Sequence, residues 1–508
     1  MYFDHFGQGI VNSFDQEGSF GLSSSVSSPA YSQSFQQSPR FTGAQVLPPL
    51  NGCPTPSGTI KYPYSPISSA DSPTLALNCG LAITWGIDNH LKTPYAYSMD
   101  FSLQRELPGG FVVEANYVGR LGRHLLEQLD LAEPVDMVDL KGGGDYFHAG
   151  AALSKISDQN GGDPTASVAP IAYFEDMWPF MANADGPNES ATQAIYSDLW
   201  APSRYGAGET NAIFDLDLYA NPAGPQFQFW QSQFSSLYAW SSIGTSSYHA
   251  AQFTLRHPSS HGLSTDINYT FSKSIDMGSG AERSNEFSTD AFGGGGIQNS
   301  WSPKLNKAVS DFDTRHLITI DGVYAIPVGR GKSLLGAANR IVNAVVGDWQ
   351  LSGLSRWASG LPFSVYEPGW STNWQLEGAG VVTAPVKVQR HLVGGIPQVF
   401  AGNSATTINN GVTNGTPIRL PYPGEAGQRN AFRGDGYFDI DSSLAKTWAL
   451  HDQLKLKFAG EVYNVGNNVR FDDSPANLNG SLTQGTFGAY GGMLSTYRRM
   501  QFGLRLDF

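Results

Sequence analysis

The sequence predicts an all-β protein, a transmembrane antiparallel up-and-down β-barrel with about twelve strands present and long loops on one side. Three observations predict it. Strands with alternating hydropathy come in pairs joined by short turns, and long polar segments separate the pairs. The composition is poor in charge and rich in aromatic residues. The final stretch, QFGLRLDF, alternates up to its last residue.

Composition narrows the class of protein. The 508 residues are 15% charged and 12% aromatic, with 58 Gly and 22 Tyr, which suits a barrel with aromatic girdles and polar loops. A soluble lectin or an array of β-sandwiches would also be rich in Gly and aromatic residues. The net charge of −13 argues against nucleic acid as a partner. No apolar run is long enough for a transmembrane helix.

The N-terminal stretch MYFDHFGQGIV has no basic residue and no apolar segment typical of a signal peptide. Because a transmembrane β-barrel protein needs export, we expect the chain to be the C-terminal piece of a longer protein. Residues 2–11 and 19–27 resemble a first strand pair.

The next strand pairs follow one rule, with apolar side chains on one face and polar side chains on the other. The apolar positions are Tyr95, Tyr97, Met99, Phe101 and Leu103, returning through Phe111, Val113, Ala115 and Tyr117. Further strands are predicted over 249–255, 263–271, 316–324, 349–357, 438–448, 454–462 and 497–508. The apolar face should contact lipid at Phe253, Leu255, Ile267, Tyr269, Ile318, Ile320, Leu454 and Leu456.

The intervening loops are predicted at about 28–94, 121–247, 274–313 and 360–435. The first contains both cysteines, Cys53 and Cys79, which we expect to form a disulfide in an oxidising compartment. In the chain-entropy model, closing this loop contributes about 3 to 4 kcal/mol. Two unpaired thiols are the alternative, and mass analysis of non-reduced peptides distinguishes them.

The end of the chain resembles the C-terminal β-signal of bacterial outer-membrane barrels, which their assembly machinery recognises. The matching positions are Gln501, Gly503, Leu506 and Phe508. Longer segments extend the resemblance, in order: SLQRELPGGFVVEANYVGRLGRHLL, SSYHAAQFTLRHPSSHGLSTDINYTFSKSID, SDFDTRHLITIDGVYAIPVGRGK, VGDWQLSGLSRWASGLPFSV and LKLKFAGEVYNVGNN.

These segments resemble the barrel half of Oar-like TonB-dependent receptors. That family carries an N-terminal carboxypeptidase-regulatory-like domain, a plug and a barrel of 22 strands. Residues 1–508 match only the C-terminal part of the barrel; the regulatory domain, plug, TonB box and early strands have no counterpart here. The resemblance implies binding and energised uptake of an extracellular ligand at the cell outer membrane, with the TonB system acting through the missing plug.

Candidate enzyme motifs do not fit. Gly331-Lys332-Ser333 resembles the end of a phosphate-binding loop, but Ile326 occupies the position of the required first glycine. Ser443 and Lys446 have the Ser-x-x-Lys spacing, which puts them on opposite faces of a strand. We therefore expect no enzyme activity and no cofactor.

Pairs of carboxylates recur at Asp-x-Asp spacing, at 215/217, 311/313 and 439/441. Such pairs could hold calcium with loop carbonyls, or they could be solvated side chains inside a barrel. We expect the second. A charged network inside the barrel is predicted for Asp439, Asp441, Lys455, Lys457 and Glu461.

Two other functions stay open. One is a surface β-protein that binds glycans through aromatic loops, and the other is an outer-membrane adhesin or structural barrel without transport. Iron-siderophore, glycan and peptide ligands are all compatible with the sequence. If early strands are missing, the sheet should stay open or close imperfectly; pairing of 2–11 with 497–508 into a smaller barrel is the alternative.

Overall fold

A computed structural model describes most of the chain. The described residues are 2–3, 82–132, 136–201, 216, 234–260, 262–279, 296–370, 377–400, 408–409, 412–413, 417–450, 454–474, 477–482 and 486–508. Both cysteines, Cys53 and Cys79, lie outside them, as do most of the first predicted strand pair and the carboxylates at 215 and 217. The predictions for those positions stay predictions.

A twelve-stranded sheet dominates the described part of the chain. Its strands are β1 (Tyr2–Phe3), β2 (Ala82–Ile87), β3 (Tyr95–Leu107), β4 (Phe111–Asp130), β5 (Phe234–Ser260), β6 (Leu263–Asp276), β7 (Ala308–Val309), β8 (His316–Ala325), β9 (Trp349–Ala358), β20 (Tyr437–Ala449), β21 (Lys455–Tyr463) and β22 (Arg499–Asp507). The sheet order is β1-β3-β4-β5-β6-β8-β9-β20-β21-β22, with β2 beside β5 and β7 beside β6. Successive long strands are therefore antiparallel neighbours, which confirms the predicted up-and-down fold.

Alternation gives this sheet two chemically distinct faces, because side chains two residues apart point the same way. One row of paired residues is Leu103, Ala115, Phe253, Tyr269, Ile318, Trp357 and Phe438. The adjacent row is Gln104, Glu114, Thr254, Asn268, Thr319, Arg356 and Asp439. We call the side of the first row the apolar face and the side of the second row the polar face.

Short turns join β3 to β4, β5 to β6 and β20 to β21 at one end of the sheet. The first turn, between β3 and β4, contains Gly109 and Gly110 at φ of 88° and 81°. Side chains rarely adopt this backbone conformation, so glycine fits the turn at little conformational cost. The register from Leu107↔Phe111 onwards then follows from the turn.

Two strands extend further than predicted. The prediction of a loop over 121–247 is wrong at both ends, because β4 continues to Asp130 and β5 begins at Phe234. Beyond Gly119↔His249 the paired residues include Gly122 with Ser246 and Arg123 with Thr245, so the ladder continues without alternating hydropathy. β2 pairs with the start of β5 in parallel, inside a segment predicted as loop.

The remaining elements lie in the long connections. The helices are α1 (Tyr146–Gln159), α2 (Ala172–Met177) and α3 (Ala191–Ala194), with a 3-10 turn at Pro179–Met181, a π-helical turn at Ile195–Trp200 and a 3-10 turn at Pro303–Asn306. Short strands occupy much of the predicted loop 360–435. They are β10 (Pro362–Phe363), β11 (Tyr366–Trp370), β12 (Glu377–Ala379), β13 (Val381–Val382), β14 (Val388–Val393), β15 (Ile396–Phe400), β16 (Ile408–Asn409), β17 (Val412–Thr413), β18 (Ile418–Arg419) and β19 (Phe432–Arg433).

One short helix, α4 (Arg340–Val346), lies in the β8–β9 connection. Trp349 donates from Nε1 to the carbonyl of Val345 at 2.8 Å, and Trp448 donates from Nε1 to Ala344 at 2.7 Å. Lys446 donates from Nζ to Gly347 at the end of the helix at 2.5 Å. These side chains hold the helix against the apolar face, because the ammonium group of Lys446 and the two indole N–H groups donate to carbonyls near the helix C-terminus.

The described part of the sheet has two ends. β22 pairs with β21, and Tyr2–Phe3 pairs with β3; among the described residues no ladder joins β1 to β22. No helix in the described ranges combines the length and the apolar character needed to cross a membrane.

Candidate functional site

Four long connections among the strands from β4 to β22 leave the same end of the sheet. They run over 131–233, 277–315, 359–436 and 464–498, whereas the shorter connections at the opposite end cover 108–110, 261–262, 326–348 and 450–454. We call the first end the long-loop end. The described parts of its four connections are the cap.

The cap has a helical half with its own apolar core. Its buried side chains are Tyr146, Leu153, Tyr173, Phe174, Trp178, Met181, Ile195, Tyr196 and Trp200. The first helix begins at Asp145, whose side chain accepts a hydrogen bond from the backbone N–H of His148 at 2.8 Å. An N-cap of this kind satisfies a donor that the helix itself leaves free.

The second half of the cap is built from short strands around another core. Its buried residues are Phe363, Val365, Val399, Phe400, Ile418, Leu420, Phe432, Leu478, Leu482, Phe487 and Tyr490. Rings of Phe400 and Phe487 stack at 5.1 Å, and Phe363 lies 5.6 Å from Phe432. This half combines residues from the β9–β20 and β21–β22 connections.

The two halves touch along one seam. Tyr422 donates its hydroxyl to Asp158 at 2.9 Å. Beside this contact, the amide of Asn299, in the 277–315 connection, donates to the carbonyl of Gly424 at 2.8 Å. Gly424 has a φ of 81°, and a Cβ there would meet the Phe147 ring at 3.0 Å. The close approach of the backbone to the ring therefore requires glycine at this position.

A buried ionic network fixes the cap to the polar face of the sheet. The Arg429 side chain is 4% exposed; it pairs with Asp276 at the end of β6 and with Asp311 at 3.0 Å. Arg433 pairs with Asp313, whose carboxylate also accepts from the backbone of Ser274 at 2.5 Å. Because removal of one partner would leave a buried charge uncompensated, this network strongly couples cap and sheet.

A cavity of about 180 Å³ lies beside the network, in the strand half of the cap. Its lining residues are Asp311, Leu361, Pro362, Phe363, Ser364, Tyr366, Asn430, Asp472, Asp473, Ser474 and Leu478. The walls are mostly apolar, with carboxylates on one side. That combination suits a small apolar group carrying a hydrogen-bond donor.

Asp473 is the most perturbed group in this cavity. Burial raises the pKa of Asp473 to about 6, although a hydrogen bond from Tyr490 opposes the shift. The Tyr490 hydroxyl donates to Oδ1 at 2.8 Å, while Oδ2 is buried and accepts no hydrogen bond among the described residues. Burial also raises the pKa of Tyr490, so it stays a donor at neutral pH. One carboxylate oxygen of this cavity-lining residue thus has no hydrogen-bond partner among the described residues.

Seven of the eight residues predicted to contact lipid occupy paired positions of the apolar face. Six of them form two successive rows of the apolar face across β5, β6 and β8. One row is Phe253, Tyr269 and Ile318, and the other is Leu255, Ile267 and Ile320. Leu456 pairs with Trp448 and Leu506 on the same face, and Leu454 immediately precedes β21. The structure therefore places the seven paired residues on one face of the sheet. Their contact with lipid stays a prediction.

The C-terminal positions Gln501, Gly503 and Leu506 lie in β22, the last strand of the described sheet, and Phe508 follows it, 97% exposed. Their recognition by an assembly machinery stays a prediction.

The predicted charged network lies on the polar face, as its alternation requires. In the register of the backbone ladder, Asp439 lies opposite Arg356, and Lys457 lies opposite Arg505. The carboxylate of Asp441 accepts from the backbone of Asn464 at 2.8 Å. Asp311 and Asp313, considered as a calcium pair, instead contact arginines of the cap.

Sequence reasoning missed Arg429, Asp473 and Tyr490. The only local signal was the density of aromatic residues within segments that otherwise resemble loops.

Comparison with known proteins adds three findings. The family model described as an outer membrane beta barrel domain matches residues 7–501. No curated protein matches the chain.

Several solved structures are similar to the fold at low sequence identity. The outer membrane transporter YddB from Escherichia coli is 10% identical, with 85% of this chain and 35% of that chain covered and a TM-score of 0.34. The pyoverdine receptor FpvA from Pseudomonas aeruginosa PAO1 is 10% identical, with 83% and 31% covered and a TM-score of 0.31. A mutant of the ferric enterobactin receptor PfeA from Pseudomonas aeruginosa is 12% identical, with 82% and 31% covered and a TM-score of 0.30. This chain spans about a third of the length of each.

Proposed function

The chain belongs to the outer membrane beta barrel domain family, and from this premise we propose that it forms the barrel part of a receptor that binds an extracellular ligand. Its location is the outer membrane. The observation that carries the proposal is the cap, which places a cavity with a buried carboxyl group at the long-loop end of the sheet.

The orientation follows from the architecture of outer-membrane barrels, which have short periplasmic turns and longer extracellular loops. The long-loop end then faces the medium, and the apolar face contacts lipid. Phe101 and Leu504 support this, because they are 66% and 71% exposed and would be unfavourable in water. The polar face lines the interior.

The ligand chemistry comes from the cavity. Asp473 offers a carboxyl oxygen between apolar walls, so a ligand group with an N–H or O–H donor on an apolar body fits it. Ferric siderophores, oligosaccharides and peptides all carry such groups.

Transport is the finer part of the proposal. The resemblance to Oar-like TonB-dependent receptors implies that an inner-membrane TonB system energises uptake by acting on a plug in the longer protein. The C-terminal β-signal implies insertion by the barrel-assembly machinery. An adhesin or structural barrel would share the fold and bind without uptake.

Binding is tested with the full chain purified in detergent and titrated with three probes: a set of ferric siderophores, a set of oligosaccharides and a set of short peptides. One class should bind, and Asp473→Asn should weaken it about tenfold or more, because a hydrogen bond to a charged group contributes about 1.5 to 3 kcal/mol. Asp507→Asn, at the other end of the sheet, is the matched control and should bind normally. No binding to any class, or equal binding by both variants, contradicts a receptor site in this cavity.

Uptake is tested in cells carrying the complete gene, with the labelled probe that binds. A protonophore should reduce uptake to the level of a gene deletion. Uptake that resists the protonophore would contradict energised transport and leave the binding result intact.

A further inference from the structure

Charge is divided unequally between the faces of the sheet. The polar face carries Glu106, Glu114, Asp266, Asp321, Asp439, Asp441 and Glu461. No carboxylate occurs at the paired positions of the apolar face in the described strands β3–β6, β8, β9 and β20–β22. In β4 these positions extend up to Arg123, and in β5 they start at Thr245. Cations do occur there, at Arg105, Arg123, Lys273 and Lys446. A chain of net charge −13 thus presents a face without negative side chains.

Two of these cations lie at the long-loop border of the apolar face. Paired residues Leu121, Ser247, Ile275 and Val309 form its last largely apolar row. Arg123 lies two residues beyond that row, about 7 Å along the strand, in register with Thr245. Lys273 lies two residues before Ile275. If the apolar face contacts lipid, this border meets the headgroup region of the membrane.

A cavity of about 540 Å³ opens at the same border. Its lining includes three cations, Arg123, Lys304 and Lys307, together with Thr245 and Ser247, whose hydroxyl side chains belong to the apolar face. No ion pair is formed by these three cations within the described ranges. Cations and hydroxyl donors around one cavity are the groups that bind phosphate oxygens.

Arg123 is held in place by its own backbone surroundings. Nη1 donates to the carbonyl of Gly122 at 2.7 Å and approaches that of Ser246 at 3.4 Å. Lys307 precedes β7 directly, and Lys304 belongs to the 3-10 turn Pro303–Asn306, whose Asn306 donates to the carbonyl of Met277 at 3.3 Å. Both lysines are therefore positioned by backbone elements tied to β6.

We propose that this basic cavity binds the phosphate groups of an anionic lipid in the membrane leaflet at the long-loop end. The lipid source follows from continuity, because the cavity borders the face whose side chains are apolar and exposed. Each cation near an anionic membrane surface strengthens binding roughly fivefold. The inference rests on lipid contact of the apolar face and is independent of any uptake by the cap.

The test is native mass spectrometry of the full chain in detergent, titrated with phosphatidylglycerol and, separately, phosphatidylcholine. The chain should bind phosphatidylglycerol more tightly. The double variant Lys304→Gln/Lys307→Gln should lose roughly 25-fold in affinity for it, since two cations are removed. The matched control is Lys455→Gln/Lys457→Gln on the polar face, with the same change in charge and no expected loss.

Lys304→Arg/Lys307→Arg should bind phosphatidylglycerol as the unaltered chain does, which separates loss of charge from loss of folding. Equal binding of both lipids, equal loss in both glutamine variants, or loss in the arginine variant would overturn the proposal. Inorganic phosphate is the competitor: if it displaces phosphatidylglycerol at matched concentration, the site takes free phosphate and the lipid assignment fails. Binding of siderophores, oligosaccharides or peptides to the cap is measured separately, so failure of one proposal leaves the other unaffected.

Discussion

The sheet and the cap are stabilised in opposite ways. In the sheet, backbone ladders run for up to seventeen paired positions between β4 and β5, while apolar side chains such as Phe502 stay 70% exposed. In the cap, strands and helices are short, yet Trp200 and Phe174 are completely buried. The sheet therefore depends on its surroundings to satisfy its apolar face, whereas the cap carries its own cores. Perturbing one region while the other serves as the reference tests this difference.

The largest effect is expected from Arg429→Met. It leaves Asp276 and Asp311 without their cation, and breaking a buried pair costs about 3 to 5 kcal/mol. Protease cleavage in urea should therefore occur earlier within the cap, while β8 and β9 stay protected. Arg256→Met is the control: its pair with Asp266 is exposed and contributes at most about 1 kcal/mol. Equal effects of the two variants would show that the network does not fix the cap.

The next effect belongs to the sheet. Ile267→Arg puts a charge on the apolar face and should cost about 2 to 4 kcal/mol if that face lies at the bilayer midplane. Urea unfolding of protein inserted in lipid vesicles measures it. Thr270→Arg, on the polar face of the same strand, should change stability little. A larger loss for Thr270→Arg would mean that the faces have been assigned the wrong way round.

Acid should affect the cap through Asp473. Its folded-state pKa of about 6 lies above the ordinary 3.8, so the folded cap binds more protons between these values. Asp473 therefore contributes to the free energy of unfolding in full below about pH 4, and this contribution is lost as the pH rises to about 6. The loss is at most about 3 kcal/mol.

Asp473→Asn should remove this slope when cap cleavage in urea is measured from pH 4 to pH 7. The slope of the sheet over the same range serves as the internal reference. An unchanged slope in the variant would show that Asp473 does not titrate in this interval.

The smallest effect is local to the helical half. Asp145→Ala removes the N-cap of α1 and should cost about 1 kcal/mol. Hydrogen exchange should increase at the start of α1 and stay constant in β5 and β6. Asp145→Asn retains an acceptor and should lie close to the unaltered chain; equal loss in both variants would argue against capping.

The two regions also differ in how much their sequences disclose. Leu263, Thr265, Ile267 and Tyr269 alternate with polar residues, so both the strand and its apolar face were predictable. The extension of β4 and β5 was not, because Gly122 and Ser246 pair by backbone alone and leave no alternating pattern. Strands can continue wherever a partner is available, with or without amphipathic character.

The buried cores and the ionic network of the cap were not predictable from the sequence for another reason. Arg429 meets Asp276 across 153 positions of sequence, and Phe400 stacks on Phe487 from a different connection. Hydropathy periods report neighbours within one element, not contacts between distant loops. The Asp311-x-Asp313 pair illustrates this: its spacing was visible, but its arginine partners depended on the fold.

The central claim is that the apolar face contacts lipid and the polar face contacts water. Spin labels on single cysteines at Ile267 and at Asn268 test it most directly, in a chain with Cys53 and Cys79 replaced by Ser and inserted in lipid vesicles. We predict that the label at 267 is reached by oxygen and shielded from a water-soluble nickel complex, and that the label at 268 shows the reverse. A label at 268 in contact with lipid, with the label at 267 in water, would contradict the account.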